Sequence, residues 1–139
     1  MNIDKTNDLK HANGDTLAFE AVKVLIEKLA LNVKMYNVAE HTSVTDYYVN
    51  ATGKSLTHEA SLSDDLVDAF SLRGLDALRV EGKRGNSWIL VDFGVLIVNI
   101  FDSEARDFYN FDRLLPEQTE MSIEEAVRAV DSKYGASED

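Results

Sequence analysis

Cysteine is absent from this chain of 139 residues, which excludes disulfides, thiolate metal sites and cysteine nucleophiles together. No apolar run is long enough to span a bilayer, so no membrane association is expected. No basic start leads into an apolar stretch, so no secretory signal is expected either, and the cytoplasm is the natural compartment. Cations are scarce: 14 Lys and Arg stand against 25 Asp and Glu, for a net charge of −11. A nucleic-acid binder neutralises phosphates with Lys and Arg, so direct nucleic-acid binding is not expected. Solubility alone also explains an acidic balance. The three histidines, His11, His41 and His58, are scattered with no i, i+4 pair, so no metal site and no cofactor is expected. Proline occurs once, at Pro116.

What remains is 45% hydrophobic and 28% charged, the balance of an ordinary globular protein with one core. The organisation expected is a flexible segment over 1–14, a single domain over 15–116, and an acidic extension over 117–139 with a short helix. In that extension Glu117, Glu120, Glu124, Glu125, Asp131, Glu138 and Asp139 outnumber Arg128 and Lys133.

Asp15 or Thr16 can cap a first helix with Ala18, Val22, Leu25, Ile26 and Leu29 on one face. Residues 33–39 and 45–52 read as strands. Ser55 is an N-cap for a long second helix carrying Leu62, Leu66, Val67 and Phe70, stopped at Arg73-Gly74. Strands follow near 77–81, 87–93 and 95–101. Asp102 or Ser103 then starts a short helix carrying Phe108 and Phe111, with Phe108 read as core and Pro116 as its limit. Ser122 and Glu125 form a capping-box pattern before a last amphipathic helix to about Tyr134. The fold class is therefore α/β, a mixed five-stranded sheet packed with helices.

The strands around Gly94 are joined so tightly that they must form a hairpin. A Phe93-Gly94 turn sets Asp92 opposite Val95, Leu90 opposite Ile97 and Trp88 opposite Asn99. Ser87, Ile89 and Val91 then share the other face with Leu96, Val98 and Ile100, and that face belongs against helices. A fully covered sheet has no use for Asp92 and Asn99, so the first face reads as partly open, presenting Trp88, Leu90 and Ile97 beside a carboxylate. The alternative is that the C-terminal segment folds over this face and Trp88 is ordinary core.

Gly53-Lys54-Ser55 between strand and helix invites a phosphate-loop reading, but the glycine that motif needs five positions earlier is Tyr48. A strand-to-helix turn with a cap explains the triplet. The single Asp-x-Glu, Asp102-Ser103-Glu104, sits at a helix start, where acids are favoured by the helix dipole. No nucleophile elbow is present. Arg106 could pair with Glu81 or Asp92 across the sheet end, or serve binding.

Two blocks carry a family resemblance. The first is Thr45-Asp46-Tyr47-Tyr48-Val49-Asn50-Ala51-Thr52-Gly53-Lys54-Ser55. The second runs from Glu81-Gly82 through Trp88, Asp92-Phe93-Gly94 and Phe101 to Arg106-Asp107-Phe108-Tyr109. In this order and spacing, over roughly residues 16 to 115, the chain resembles the ribosome silencing factors, the Iojap-related family. The resemblance implies a nucleotidyltransferase-like topology without its active site. It also implies binding to the large ribosomal subunit through that subunit's fourteenth ribosomal protein, with joining of the small subunit blocked and translation repressed. Homodimers are expected from the same resemblance. The chain departs from the family pattern at Val95, where the family has Asp, at Asn99, where it has His, at Asn50, where it has an aliphatic residue, and over Phe111–Leu115.

Expected partner-binding residues are Asp46, Tyr48, Glu81, Trp88, Leu90, Asp92, Ile97, Asn99, Arg106 and Tyr109, with Trp88 and Leu90 as apolar anchors and Asp46, Glu81 and Asp92 meeting basic side chains. No catalytic residue is expected. Two rival readings are a divergent nucleotidyltransferase-type enzyme and a self-associating module with another protein partner.

Overall fold

The computed structural model describes residues 8–82 and 87–134. In chain order these form α1 (Gly14–Glu27), β1 (Leu31–Asn37), β2 (Tyr47–Gly53), α2 (Leu56–Leu72), β3 (Arg79–Glu81), β4 (Trp88–Asp92), β5 (Leu96–Asp102), α3 (Ser103–Tyr109), β6 (Glu120–Met121) and α4 (Ile123–Tyr134). Two 3-10 turns, Phe111–Leu114 and Glu117–Thr119, lie between α3 and β6.

Helices start where the sequence supplies a capping oxygen for an orphan amide. Ser55 Oγ accepts from the His58 amide at 3.0 Å, Asp102 Oδ1 from Ala105 at 2.7 Å, and Ser122 Oγ from Glu125 at 3.2 Å. The start of α1 is different: Asn13 precedes it and makes no side-chain cap bond. At the far end of α2, Gly74 takes a φ of +92°, a conformation an L side chain resists.

The strands join in one mixed sheet, ordered β3-β4-β5-β2-β1-β6. Only β2 and β5 run parallel; every other neighbouring pair is antiparallel. The sheet has six strands, not the five expected. The sixth, β6, pairs Met35 with Met121 and Tyr36 with Glu120. Two residues are too few to show period-two alternation, so sequence alone could not reveal it.

The hairpin register also differs from expectation. Asp92 faces Ile97, Leu90 faces Asn99 and Trp88 faces Phe101. The tight turn is Gly94-Val95, flanked by Phe93, whose amide donates to the Leu96 carbonyl at 2.8 Å. Gly94 has φ +91°, placing glycine at the first central position, as a II′ turn demands. The slip is two residues, an even number, so each side chain keeps its expected face.

One face is the core. Ile89, Val91, Leu96, Val98, Ile100, Val49 and Ala51 bury against Leu17, Ala18, Ala21, Val22 and Leu25 of α1 and Leu62, Leu66 and Phe70 of α2. Two segments expected to be peripheral contribute to it. Leu9 is fully buried, and its amide donates to the Arg73 carbonyl at 2.7 Å, so the chain is packed from there rather than loose up to residue 14. Residues 1–7 lie outside the described residues. The supposed acidic extension supplies β6 and α4; Ala126 and Val130 are buried, and Lys23 of α1 pairs with Asp131.

Gly53 explains why the Gly-Lys-Ser triplet is where it is. A Cβ there would lie 2.8 Å from both the Cα and the amide nitrogen of Glu59. The glycine lets the first turn of α2 close onto the end of β2. His58 adds a clamp: its Nδ1 accepts from the Lys54 amide at 2.9 Å while its Nε2 bonds the Lys28 carbonyl at 2.9 Å.

Candidate docking face

The opposite face of the sheet carries the even-numbered residues of β2 and β4 with Ile97, Asn99 and Phe101 of β5. Its covering comes from α3 and the turn after it, not from the C-terminal segment, since α4 packs against α1. Trp88 is half-buried. Its ring lies 4.9 Å from Phe101, 4.9 Å from Tyr109 and 5.8 Å from Phe111, centroid to centroid. Tyr48, also half-buried, meets Phe111 edge-on at 5.1 Å. The indole is therefore a partly exposed wall, neither a free anchor nor a sealed core residue. It lines a depression of about 420 Å³ with Glu81, Gly82, Ser87, Leu90 and Tyr109.

Beneath the indole runs a chain of polar side chains. Trp88 Nε1 donates to Asn99 Oδ1 at 2.9 Å, Asn99 Nδ2 to Asn50 Oδ1 at 3.1 Å, and Asn50 Nδ2 to Asp112 Oδ1 at 2.9 Å. Asp112 also accepts from the Tyr36 hydroxyl at 2.8 Å and from Arg106 Nε at 2.9 Å. Burial alone would hinder ionisation of Asp112, but its bonds from Arg106, Asn50 and Tyr36 outweigh it and hold the carboxyl below its ordinary range. Burial, and then the bond to Asp112, push the Tyr36 phenol well up.

Arg106, 7% exposed, is part of this buried assembly. It pairs with Asp112, not with Glu81 or Asp92 as the sequence allowed. Its Nη1 also donates to the Asn32 carbonyl at 2.7 Å and to Thr52 Oγ1 at 3.1 Å. The Asn32 carbonyl is available because β1 bulges between Leu31 and Lys34, with Asn32 at φ +51°. Arg106 thereby holds α3 to the sheet.

The expected site residues thus separate. Trp88, Leu90, Glu81 and Tyr109 come together around the depression. Ile97, Asn99 and Arg106 are buried, so they support the face without forming its surface. Tyr48 sits beside Phe111. Asp46 is exposed but lies level with Val95, six residues along β5 from Phe101 and so roughly 20 Å from Trp88. Asp92 and Glu81 already share Arg79, at 3.1 Å from Asp92. Asp92 Oδ1 also accepts from the Gly94 amide at 2.7 Å, which braces the turn.

Phe108, expected in the core, is instead 81% exposed, while Asp112, Tyr36 and Phe111, none of them an expected partner-binding residue, join the network and the aromatic cluster on this face. Asn50 was visible only as a departure from a family pattern. Its role emerges once β2 and β5 pair in parallel and set it level with Asn99, the other departure. The two exchanges satisfy each other. Among the described residues no group of three or more His, Asp and Glu side chains is placed to hold a metal ion, and no helix is long and apolar enough to cross a membrane.

Fold and site together define an α/β protein with one helix-packed sheet face and one polar-cored face that is only partly covered. Comparison with known proteins gives the family. A family model, Ribosomal silencing factor during starvation, matches residues 11–139, and the chain belongs to that family. Ribosomal silencing factor RsfS of Haemophilus influenzae is 30% identical over 97 residues, covering 67% of this chain and 95% of that protein. The Zymomonas mobilis protein of the same name is 31% identical over 85 residues, covering 61% of this chain and 64% of that protein. A crystal structure of a Chromobacterium violaceum protein superposes with a TM-score of 0.72 at 22% identity, over 74% of this chain and 86% of that one, and shares the fold.

Proposed function

We propose that this protein is a cytoplasmic, non-catalytic repressor of translation that binds the large ribosomal subunit through a basic ribosomal protein and sterically blocks joining of the small subunit. The fourteenth protein of that subunit is the partner the resemblance implies, and the nucleotidyltransferase-like topology serves here as a scaffold. The observation that carries the reading is the depression beside Trp88, with Leu90 and Tyr109 as apolar walls and Glu81 on its rim. Partly exposed aromatic side chains in a concave, acid-rimmed setting suit an anchor residue from a cationic protein. A net charge of −11 favours such a partner over exposed RNA. An interface of about 800 Å² per partner is expected.

Co-sedimentation with purified large subunits tests this. Trp88→Ala should abolish it while a cooperative melt persists; binding undiminished by that change would move the site elsewhere. Glu81→Lys, at an exposed position, should weaken binding by about 1 kcal/mol or more through like-charge contact.

A further inference from the structure

We propose that Asn50 and Asn99 are positioning residues of the docking face: the buried relay they form from Asp112 fixes the pose of the Trp88 indole and keeps the adjoining depression open before any partner arrives. The inference rests on the reading of Trp88 as a docking wall, and deepens it.

The two ends of the relay have no choice of role. An indole N–H can only donate, and an ionised carboxylate can only accept. Between them stand two side-chain amides, each able to do both. Asn50 therefore gives its NH₂ to Asp112 and its carbonyl to Asn99; Asn99 gives its NH₂ to Asn50 and its carbonyl to Trp88. Every donor points the same way, and reversing either amide breaks two bonds at once. Asn50 and Asn99 are 0% and 1% exposed, so no water can replace a lost partner at the surface. At the far end Arg106 and Tyr36 immobilise Asp112. The indole is thus tied, through three hydrogen bonds across β5 and β2, to the turn that follows α3. That turn supplies Phe111, and the last residue of α3 is Tyr109, the two rings that pack on Trp88 from this side. A wall held in one pose loses less freedom on binding than a mobile one.

Trp88 is the only tryptophan in the chain, so its spectra report the relay without a partner. Asn50→Leu is the decisive variant, because it leaves the indole its own acceptor, Asn99, and removes the two bonds beyond it, from Asn99 to Asn50 and from Asn50 to Asp112. The expected result is loss of most of the near-ultraviolet tryptophan dichroism and a fall in fluorescence anisotropy. Far-ultraviolet dichroism should be unchanged, and co-sedimentation with large subunits at least tenfold weaker. Tryptophan signals identical to those of the parent protein would overturn the relay. Altered signals with undiminished subunit affinity would overturn its positioning role. Should Asn50→Leu fail to melt cooperatively, Asn50→Ala, which adds no volume, is read by the same spectra. If the parent protein itself does not bind subunits, the docking reading fails, and the spectra alone still decide the relay.

Discussion

Glu59 occupies the first turn of α2 with both carboxylate oxygens buried and without a hydrogen-bond partner, and Ser63 Oγ, one turn on, is in the same condition. Burial, and then the nearby Asp102 carboxylate, raise the Glu59 pKa from 4.5 to about 7. The folded state therefore holds this proton more tightly than the unfolded chain. Its contribution to stability is complete below about pH 4.5, declines as pH climbs towards 7, and is gone above it, a loss of about 3 kcal/mol at ~1.4 kcal/mol per unit. Urea unfolding across pH 4–8 should show this slope, and Glu59→Leu should flatten it and stabilise the protein at pH 8 by roughly 2 kcal/mol. Asp112 has the opposite sign: its contribution is present above its ordinary pKa of 3.8 and is lost as pH falls below it. Arg106 belongs to the same scale. Arg106→Met should cost about 3–5 kcal/mol in denaturant unfolding, because it leaves the Asp112 carboxylate buried without its cation.

Elements in this fold meet at points where a single atom decides the fit. Gly53 is such a point, since a Cβ would strike the α2 backbone at 2.8 Å and backbone cannot step aside as a side chain can. Gly53→Ala should cost about 2 kcal/mol in a thermal or denaturant melt, as overpacking does in a well-packed core. Gly94→Ala differs in mechanism: its Cβ would find ordinary contact with Leu78 at 3.5 Å, and the penalty comes from the φ of +91° alone, about 1 kcal/mol. Residues 117–134 behave as structure, not as a tail. Removing residues 117–139 strips β6 from the sheet edge and α4 from α1, exposing core around Met35 and Ala21. A loss of about 3 kcal/mol or more, roughly 10 °C in melting temperature, is the expected outcome.

At the scale of the whole molecule, the −11 charge sets how a partner is met. Long-range attraction between an acidic protein and a basic one speeds encounter and is screened over about 10 Å at 0.1 M salt. Association with the isolated basic ribosomal protein should therefore slow several-fold between roughly 0.05 and 0.3 M salt, mainly in the on-rate, and stopped-flow mixing would read it. The Trp88→Ala defect should persist across that range, since the aromatic contact carries no charge. Phe108 and Leu114 are 81% and 74% exposed, and a homodimer, if formed through them, would bury both. Sedimentation at several concentrations, with and without subunits, distinguishes a homodimer that competes with the ribosome from one that does not.

Local physics explains what could be read from residues alone. A cap acts over three residues and strand alternation over two, so Ser55, Asp102, Ser122 and the apolar face of β4 and β5 were legible without coordinates. Even the misjudged turn kept its faces, because an even slip preserves the period. The relay could not be read that way. Asn50 and Asn99 are 49 positions apart, Asn50 and Asp112 are 62 apart, and Tyr36 and Asp112 are 76 apart. No periodicity spans such distances. Phe108 and Phe111 look equivalent in sequence, yet the left-handed turn at Asn110, φ +53°, sends the chain back so that Phe111 packs on Trp88 while Phe108 faces water. Sequence by itself determined the helices and the five longer strands, the faces of those strands and the acidic character, since each is set by neighbours within a turn or by composition. Only the tertiary structure decided which polar groups satisfy one another under the indole, because strand order and register, not spacing along the chain, bring them within hydrogen-bonding reach.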